Sequence, residues 1–205
     1  DRDNAVIFWD VITHQPIGTP LVGHTDDIND LAISPDGSIL ASASSDHSVI
    51  LWDMATRQPI GAPLLGHTAG VMDVAFSPDG RLLASAGFDQ TVRLWDTQSH
   101  QQVADPLIFN EIVSDVVFSP DGKTLISKGG LRLIFWDVAK RQQIGQNVNL
   151  FESYSNPVFS PDGSILAVGR ESSIILLDSD THQQIGMPLS GHADDVEAIA
   201  FSPDG

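Results

Sequence analysis

The tetrapeptide Ser-Pro-Asp-Gly occurs at 34–37, 77–80, 119–122, 160–163 and 202–205, with steps of 43, 42, 41 and 42 residues. Trp-Asp occurs at 9, 52, 95 and 136, and Leu177-Asp178 stands at the next expected position, giving steps of 43, 43, 41 and 41. Two independent markers therefore keep one period. A fixed period of this length marks solenoids and propellers, and about five copies of a unit near 42 residues account for the chain.

Within a unit the apolar residues form short runs bounded by turn residues. Val71 to Phe76 is followed by Ser-Pro-Asp-Gly, then Leu82 to Ser85, then Thr91 to Trp95. Runs of this length read as strands. In the tetrapeptide, Pro fixes φ at the second turn position, Ser and Asp bond to nearby backbone, and Gly relaxes the exit. A fourth strand is expected in each unit, as at Gln58 to Leu64 and Gln183 to Leu189. Four short antiparallel strands per unit, with essentially no helix, predict an all-β fold of propeller blades.

Composition narrows the function classes. The chain has 205 residues, with 27 Asp and Glu against 10 Lys and Arg and a net charge of -17. Scattered cations among so many carboxylates disfavour phosphate binding, so nucleic acid is not expected as a partner. There is no cysteine, which excludes disulfides, zinc-thiolate sites and Cys nucleophiles and leans towards a reducing, cytoplasmic setting. No apolar run reaches the roughly 18 residues of a membrane span, so no membrane partner is expected.

From Gly66-His67 through a strand ending FSPDG, then LLASAG, to D-Q-T-V-R-L-W-D at 89–96, the residues resemble the WD-repeat family of β-propellers. The resemblance spans the chain. It implies four-stranded blades in which a His, a Ser or Thr, an Asp and a Trp are joined by hydrogen bonds. Carried over by position, one unit supplies His24, Ser42, Asp46 and Trp52, and the next supplies His67, Ser85, Asp89 and Trp95. Partial sets follow: Asp3 with Trp9 at the start, His192 near the end, and Ser127 with Trp136 in the unit where Phe109-Asn110 stands for Gly-His. One unit is more eroded, with Leu150-Phe151 for Gly-His, Val168 for Ser and Leu177 for Trp. Apolar packing is expected to hold these two.

The units run at about 1–20 (partial), 21–63, 64–106, 107–148, 149–189 and 190–205 (partial). Both ends fall inside a unit. Joining them in the family's manner lacks about six residues, the equivalent of one strand, so the expectation is a segment of a longer array, with a five-bladed ring closed through its termini as the other reading.

Catalytic and metal readings are weak. His, Ser and Asp recur with Trp at a fixed offset in consecutive units, as a packing network does and a single active site does not, and no G-x-S-x-G nucleophile turn is present. No close ligand spacing links the seven histidines, so neither a metal site nor a cofactor is expected. His14, His100 and His182 occupy equivalent turns, and Arg57, Lys140 and Arg141 read as solvated residues of the same turns.

The remaining candidate is a surface. The resemblance implies that the face bearing the Gly-His loops binds peptides through residues at the start of the first strand of each unit and before the blade Asp. Matching positions are Asp27, Asn29 and Ser45; Met72 and Phe88; Ile112 and Ser114; Ser153, Ser155 and Arg170; and Asp195 and Glu197. Ten carboxylates lie between a Gly-His position and the next Ser-Pro-Asp-Gly, among them Asp26, Asp30, Asp73, Glu111, Asp115, Glu152 and Asp194. Apolar anchors beside acids suit a basic or amphipathic peptide. The expected function is a non-catalytic protein-binding scaffold, with further blades from the same chain or another copy as possible partners. One alternative is the sensor segment of a larger signalling protein fused to a nucleotide-switch ATPase, kinase or protease. Another is a hydrolase using one His set.

Overall fold

The first four Ser-Pro-Asp-Gly turns each close a hairpin by the same bonds. In the first copy the Gly37 amide donates to the Ser34 carbonyl at 2.8 Å, while Asp36 accepts from the Ser34 hydroxyl and from the Ser38 amide. These donors, the Ser34 hydroxyl foremost, hold the Asp36 carboxyl down at about 2. Gly37 has φ of 73°, a left-handed conformation that a side chain would strain, so Gly is required at this position.

A computed structural model describes residues 4–150 and 155–205. The first sheet is a pair, β1 (Ala5–Val6) with β2 (Leu21–Val22). Four four-stranded antiparallel sheets follow. The first holds β3 (Ile28–Ile33), β4 (Ile39–Ser44), β5 (Ser48–Asp53) and β6 (Leu64–Leu65). The second holds β7 (Val71–Phe76), β8 (Leu82–Gly87), β9 (Thr91–Asp96) and β10 (Leu107–Ile108). The third holds β11 (Val113–Phe118), β12 (Thr124–Gly129), β13 (Arg132–Asp137) and β14 (Gln142–Asn149). The fourth holds β15 (Val158–Phe159), β16 (Ile165–Arg170), β17 (Ser173–Asp178) and β18 (Leu189–Ser190).

In every four-stranded sheet the strands lie side by side in chain order. The sheets stack face to face, with β7 packed between β3 and β11, so the first strands of successive sheets form one inner row. The core lies between sheets. Ala41, Val49 and Leu51 of the first pack with Val74, Leu83 and Trp95 of the second. Ala84, Val92 and Leu94 of the second pack with Val116, Leu125 and Trp136 of the third. Two middle strands buried on both faces explain the dense apolar runs read in the sequence.

The fourth strand is shorter than expected. In the first four-stranded sheet it reduces to an isolated bridge between Trp52 and Pro59 and the two residues of β6. Gly61, with φ of 71°, and Pro63, which has no N–H, interrupt the ladder between them. Strand β14 is the exception. Gln143 and Asn147 stand where Pro59 and Pro63 stand, and the strand runs for eight residues with one register shift. Strand β15 has only two residues because Pro157 precedes it. Past Ser190, the described residues form no strand.

Turn residues also tie sheets together. His182 stacks on Phe135 of the preceding sheet, 3.6 Å between ring centroids at 14°. A Cβ at Gly145 would lie 2.8 Å from its Nδ1, and one at Gly61 would lie 3.0 Å from Nδ1 of His100. Arg57 lies 5.3 Å over the Phe8 ring and donates to the carbonyl of Ile17. Arg57 is therefore not merely a solvated turn residue. Arg141 and Lys140 are exposed, Lys140 pairing with Asp137 at 2.8 Å, and the residue in the glycine position one unit before Arg141 is Ala104.

Candidate functional site

The Gly-His loops are anchored by buried polar chains. In the unit of β3 to β6, the Trp52 indole donates to Ser42 Oγ at 2.9 Å, Ser42 Oγ meets His24 Nε2 at 2.7 Å, and His24 Nδ1 meets Asp46 at 2.8 Å. In the next unit Trp95 donates to Ser85 at 2.9 Å, Ser85 meets His67 Nε2 at 2.8 Å, and His67 Nδ1 meets Asp89 at 3.0 Å. Each aspartate carboxylate can only accept, so the imidazole donates from Nδ1, and Nε2 of the neutral ring accepts the serine proton while the serine oxygen accepts from the indole. Burial lowers the His67 pKa, and the opposing pull of Asp89 does not reverse it, so the ring is neutral at neutral pH. Burial alone would raise Asp46, but the Ser48 hydroxyl, the Thr25 amide and His24 outweigh it and hold the carboxyl down at about 2.

Glycine makes room for these chains. A Cβ at Gly23 would lie 2.9 Å from the Trp52 ring. In the third four-stranded sheet Phe109 occupies that place and meets Trp136 edge-on, centroids 5.3 Å apart at 61°. There the Trp136 indole still donates to Ser127 at 2.8 Å. In the fourth sheet Leu150, Val168 and Leu177 fill the same volume without polar atoms. Trp9 is 58% exposed and His192 is exposed, and neither joins such a chain among the described residues. Asp3 lies outside them.

The face positions differ in access. Asp27, Asn29, Asp195 and Glu197 are exposed, Phe88 is 46% and Ile112 44% exposed, and Met72, Ser45, Ser114 and Arg170 are half-buried. Asn29 Nδ2 donates to the Val71 carbonyl at 2.7 Å and to Ser45 Oγ at 3.1 Å, which fixes it across the boundary between two sheets. Phe88 lies against Gly70, where a Cβ would stand 3.3 Å from its ring and 3.2 Å from Ser45 Cα. Ile112, Ser114 and Glu111 line a depression beside Gln90 and Lys128. Ser155 corrects the sequence reading: it is fully buried, its hydroxyl accepting the Gly169 amide at 2.7 Å, and it presents nothing to a ligand. Ser153 and Glu152 lie outside the described residues.

The family model described as WD domain, G-beta repeat, matches residues 14–53 and 58–96. These two stretches are WD repeats. A search of curated proteins returns no match. WD repeats generally mediate protein-protein interaction and are generally non-catalytic. In this WD-repeat chain Ser42 and Ser85 are fully buried with Oγ bonded to an indole, so neither oxygen is open to a substrate. Among the described residues no group of three or more His, Asp or Glu is placed to hold a metal ion.

The WD-repeat chain also holds a ladder of carboxylates that the sequence reading placed on the face. Asp30 accepts the Val74 amide at 3.1 Å, and Asp73 accepts the Val116 amide at 2.7 Å, each across a sheet boundary. Burial, with Asp30 and then Asp115 beside it, pushes Asp73 up to about 9. Asp115 is buried and raised for the same reason, opposed by the Ser114 hydroxyl and by Lys128. Lys128 is buried 3.8 Å from Asp115, donates to the Ser155 carbonyl at 3.0 Å, and is itself lowered by burial. Asp30 and Asp73 thus belong to the joints between sheets, and Asp115 is buried beside them. Their shared column, three residues before Ile33, Phe76 and Phe118, was the available signal.

Proposed function

We propose that the chain is a non-catalytic scaffold whose Gly-His face binds a basic or amphipathic segment of a partner protein. The observation that carries this reading is the pair Phe88 and Ile112. Phe88 directly follows β8 and Ile112 directly precedes β11, and both remain nearly half exposed, while Ser45, across Gly70 from Phe88, and Asn29 are fixed by hydrogen bonds. Apolar side chains held on a stiff frame lose little freedom on binding, so they can anchor a partner at low entropic cost. Asp26, Asp27, Asp194, Asp195 and Glu197 are exposed carboxylates at the matching positions of other units, and they would steer a cationic segment. The partner is a protein rather than nucleic acid or a membrane surface, and the compartment is the cytoplasm, in keeping with the acidic charge and the lack of cysteine.

Panning a random peptide library against the native chain and against a Phe88→Asp, Ile112→Asp chain tests the proposal. The native face should enrich sequences that combine Lys or Arg with apolar residues, and the variant should not. Equal enrichment by both chains would remove the assignment.

A further inference from the structure

At two joints a carboxylate of the inner row accepts an amide from the next sheet, Asp30 from Val74 and Asp73 from Val116. Asp115 holds the matching place on β11, and the residue at the matching place beyond it is Pro157, which has no N–H to give. A second replacement lies beside the first. Asp30 and Asp73 stand opposite Ala43 and Ala86 on the second strands of their sheets, whereas Asp115 stands opposite Lys128. A carboxyl freed of its amide and a buried amine are thus brought together in one unit, Nζ 3.8 Å from Oδ2.

Both groups face open space. With Ile112, Ser114 and Asn156 they line a depression of about 760 Å³, a volume that suits a small ligand. Lys128 Nζ bonds the Ser155 carbonyl at 3.0 Å and Asp115 accepts from the Ser114 hydroxyl at 2.7 Å, so both are fixed in place. Burial pushes the amine down and the carboxyl up, which favours a free amine beside an acid over the ion pair. The other two lysines of the chain differ. Lys123 and Lys140 are exposed, and hydrogen bonds to Asp121 and Asp137 push them up, which keeps them protonated. Only an unprotonated amine is a nucleophile.

We infer that Lys128 captures small uncharged aldehydes in this depression as an imine, with Asp115 moving the protons. The Nζ lone pair attacks the carbonyl carbon, the carbonyl oxygen takes the proton of Asp115, and the carboxylate then accepts a proton from the nitrogen. Asp115 next protonates the new hydroxyl, the C–O bond breaks, water leaves, and the nitrogen pair closes the C=N bond. The remaining N–H proton returns to Asp115, so amine and aldehyde give imine and water and nothing else is consumed. Surroundings set the ligand class. Glu111 in the lining and a net charge of -17 disfavour anions, and Ile112 offers an apolar wall to an alkyl chain. The capture stands whether or not the same face binds a peptide.

Reductive alkylation of the 205-residue chain tests this. Butanal with cyanoborohydride at neutral pH traps each imine as a secondary amine, and peptide mapping by mass spectrometry scores the lysines separately, with the α-amino group, itself of low pKa, counted apart. Lys128 should gain the adduct several-fold faster than Lys123 or Lys140, and the preference should vanish in concentrated urea, where the depression is gone. Lys128→Ala restores the residue that sister units carry, so the circular dichroism spectrum should be unchanged and the fast adduct lost. Any of three results overturns the inference: a Lys128 that reacts no faster than the exposed lysines, as it would if it served only to hold Ser155; a preference that persists in urea; or a fast lysine adduct on the Lys128→Ala chain.

Discussion

Asp73 Oδ2 accepts the backbone amide of Val116 at 2.7 Å from the neighbouring sheet, and the same carboxyl is pushed up to about 9 by its burial and by Asp30. The proton that neutralises it is therefore part of the joint. Because the folded value lies above the unfolded one, the contribution is full below about pH 4 and is lost as pH rises towards about 9. Asp73→Asn keeps an acceptor for Val116 and cannot ionise. Stability of the native chain should fall between pH 5 and pH 9 by up to about 1.4 kcal/mol per pH unit, and the variant should fall less steeply. Parallel curves of urea midpoint against pH would sink the idea.

Removing one serine should cost more where the polar chain is complete. Ser85→Ala orphans both the Trp95 indole and His67 Nε2, for a loss of about 2 to 3 kcal/mol. Ser127→Ala orphans the Trp136 indole without an imidazole behind it and should cost about 1 kcal/mol. Urea titrations of the two variants give the comparison, and equal losses would contradict it.

His182 should contribute through contact across the sheet boundary. Its ring stacks on Phe135 and leaves no room for a methyl group at Gly145, whose φ is 66°. Gly145→Ala should destabilise by about 1 to 3 kcal/mol, from backbone strain and the displaced ring together. His182→Ala should cost about 1 kcal/mol. Thermal unfolding of the double variant should show less than the sum, because the displaced ring is already gone.

Charge reversal on the face separates steering from anchoring. Asp27→Lys with Asp195→Lys should slow association with a lysine-rich peptide recovered by the native face and flatten the dependence of its affinity on salt. Stopped-flow association at low and high salt measures this. An unchanged rate at low salt would place the peptide elsewhere.

Much of the fold is legible because its signals are local. Ser-Pro-Asp-Gly closes hairpins by bonds within five residues, and Trp52 and Trp95 mark strands whose neighbours alternate with turns. The polar chains were readable as well, since their members keep fixed offsets from the tryptophans. What escaped depends on the next unit rather than on the same one. Asp30 and Asp73 look like surface acids until the amide each faces, some 43 residues on, is known, and Asp115 does so until Lys128 is placed beside it. Ser155 looked exposed by analogy with Asn29 and Met72, yet the eroded unit turns its hydroxyl to Gly169. The break in the fourth strand is legible in Pro63, which has no N–H for the ladder.

The seating of a turn side chain over a glycine of the preceding unit ties distant positions together. Gly61 and His100, or Gly145 and His182, share one volume although nearly a full repeat separates them. A side chain gained on one outer strand evicts its tenant from the next turn, and Ala104 stands where the tenant, Arg141, is free in solvent. Copying a unit whole into another place would therefore not transplant its stability. The piece that can be moved intact is the junction, the second half of one repeat together with the first half of its successor.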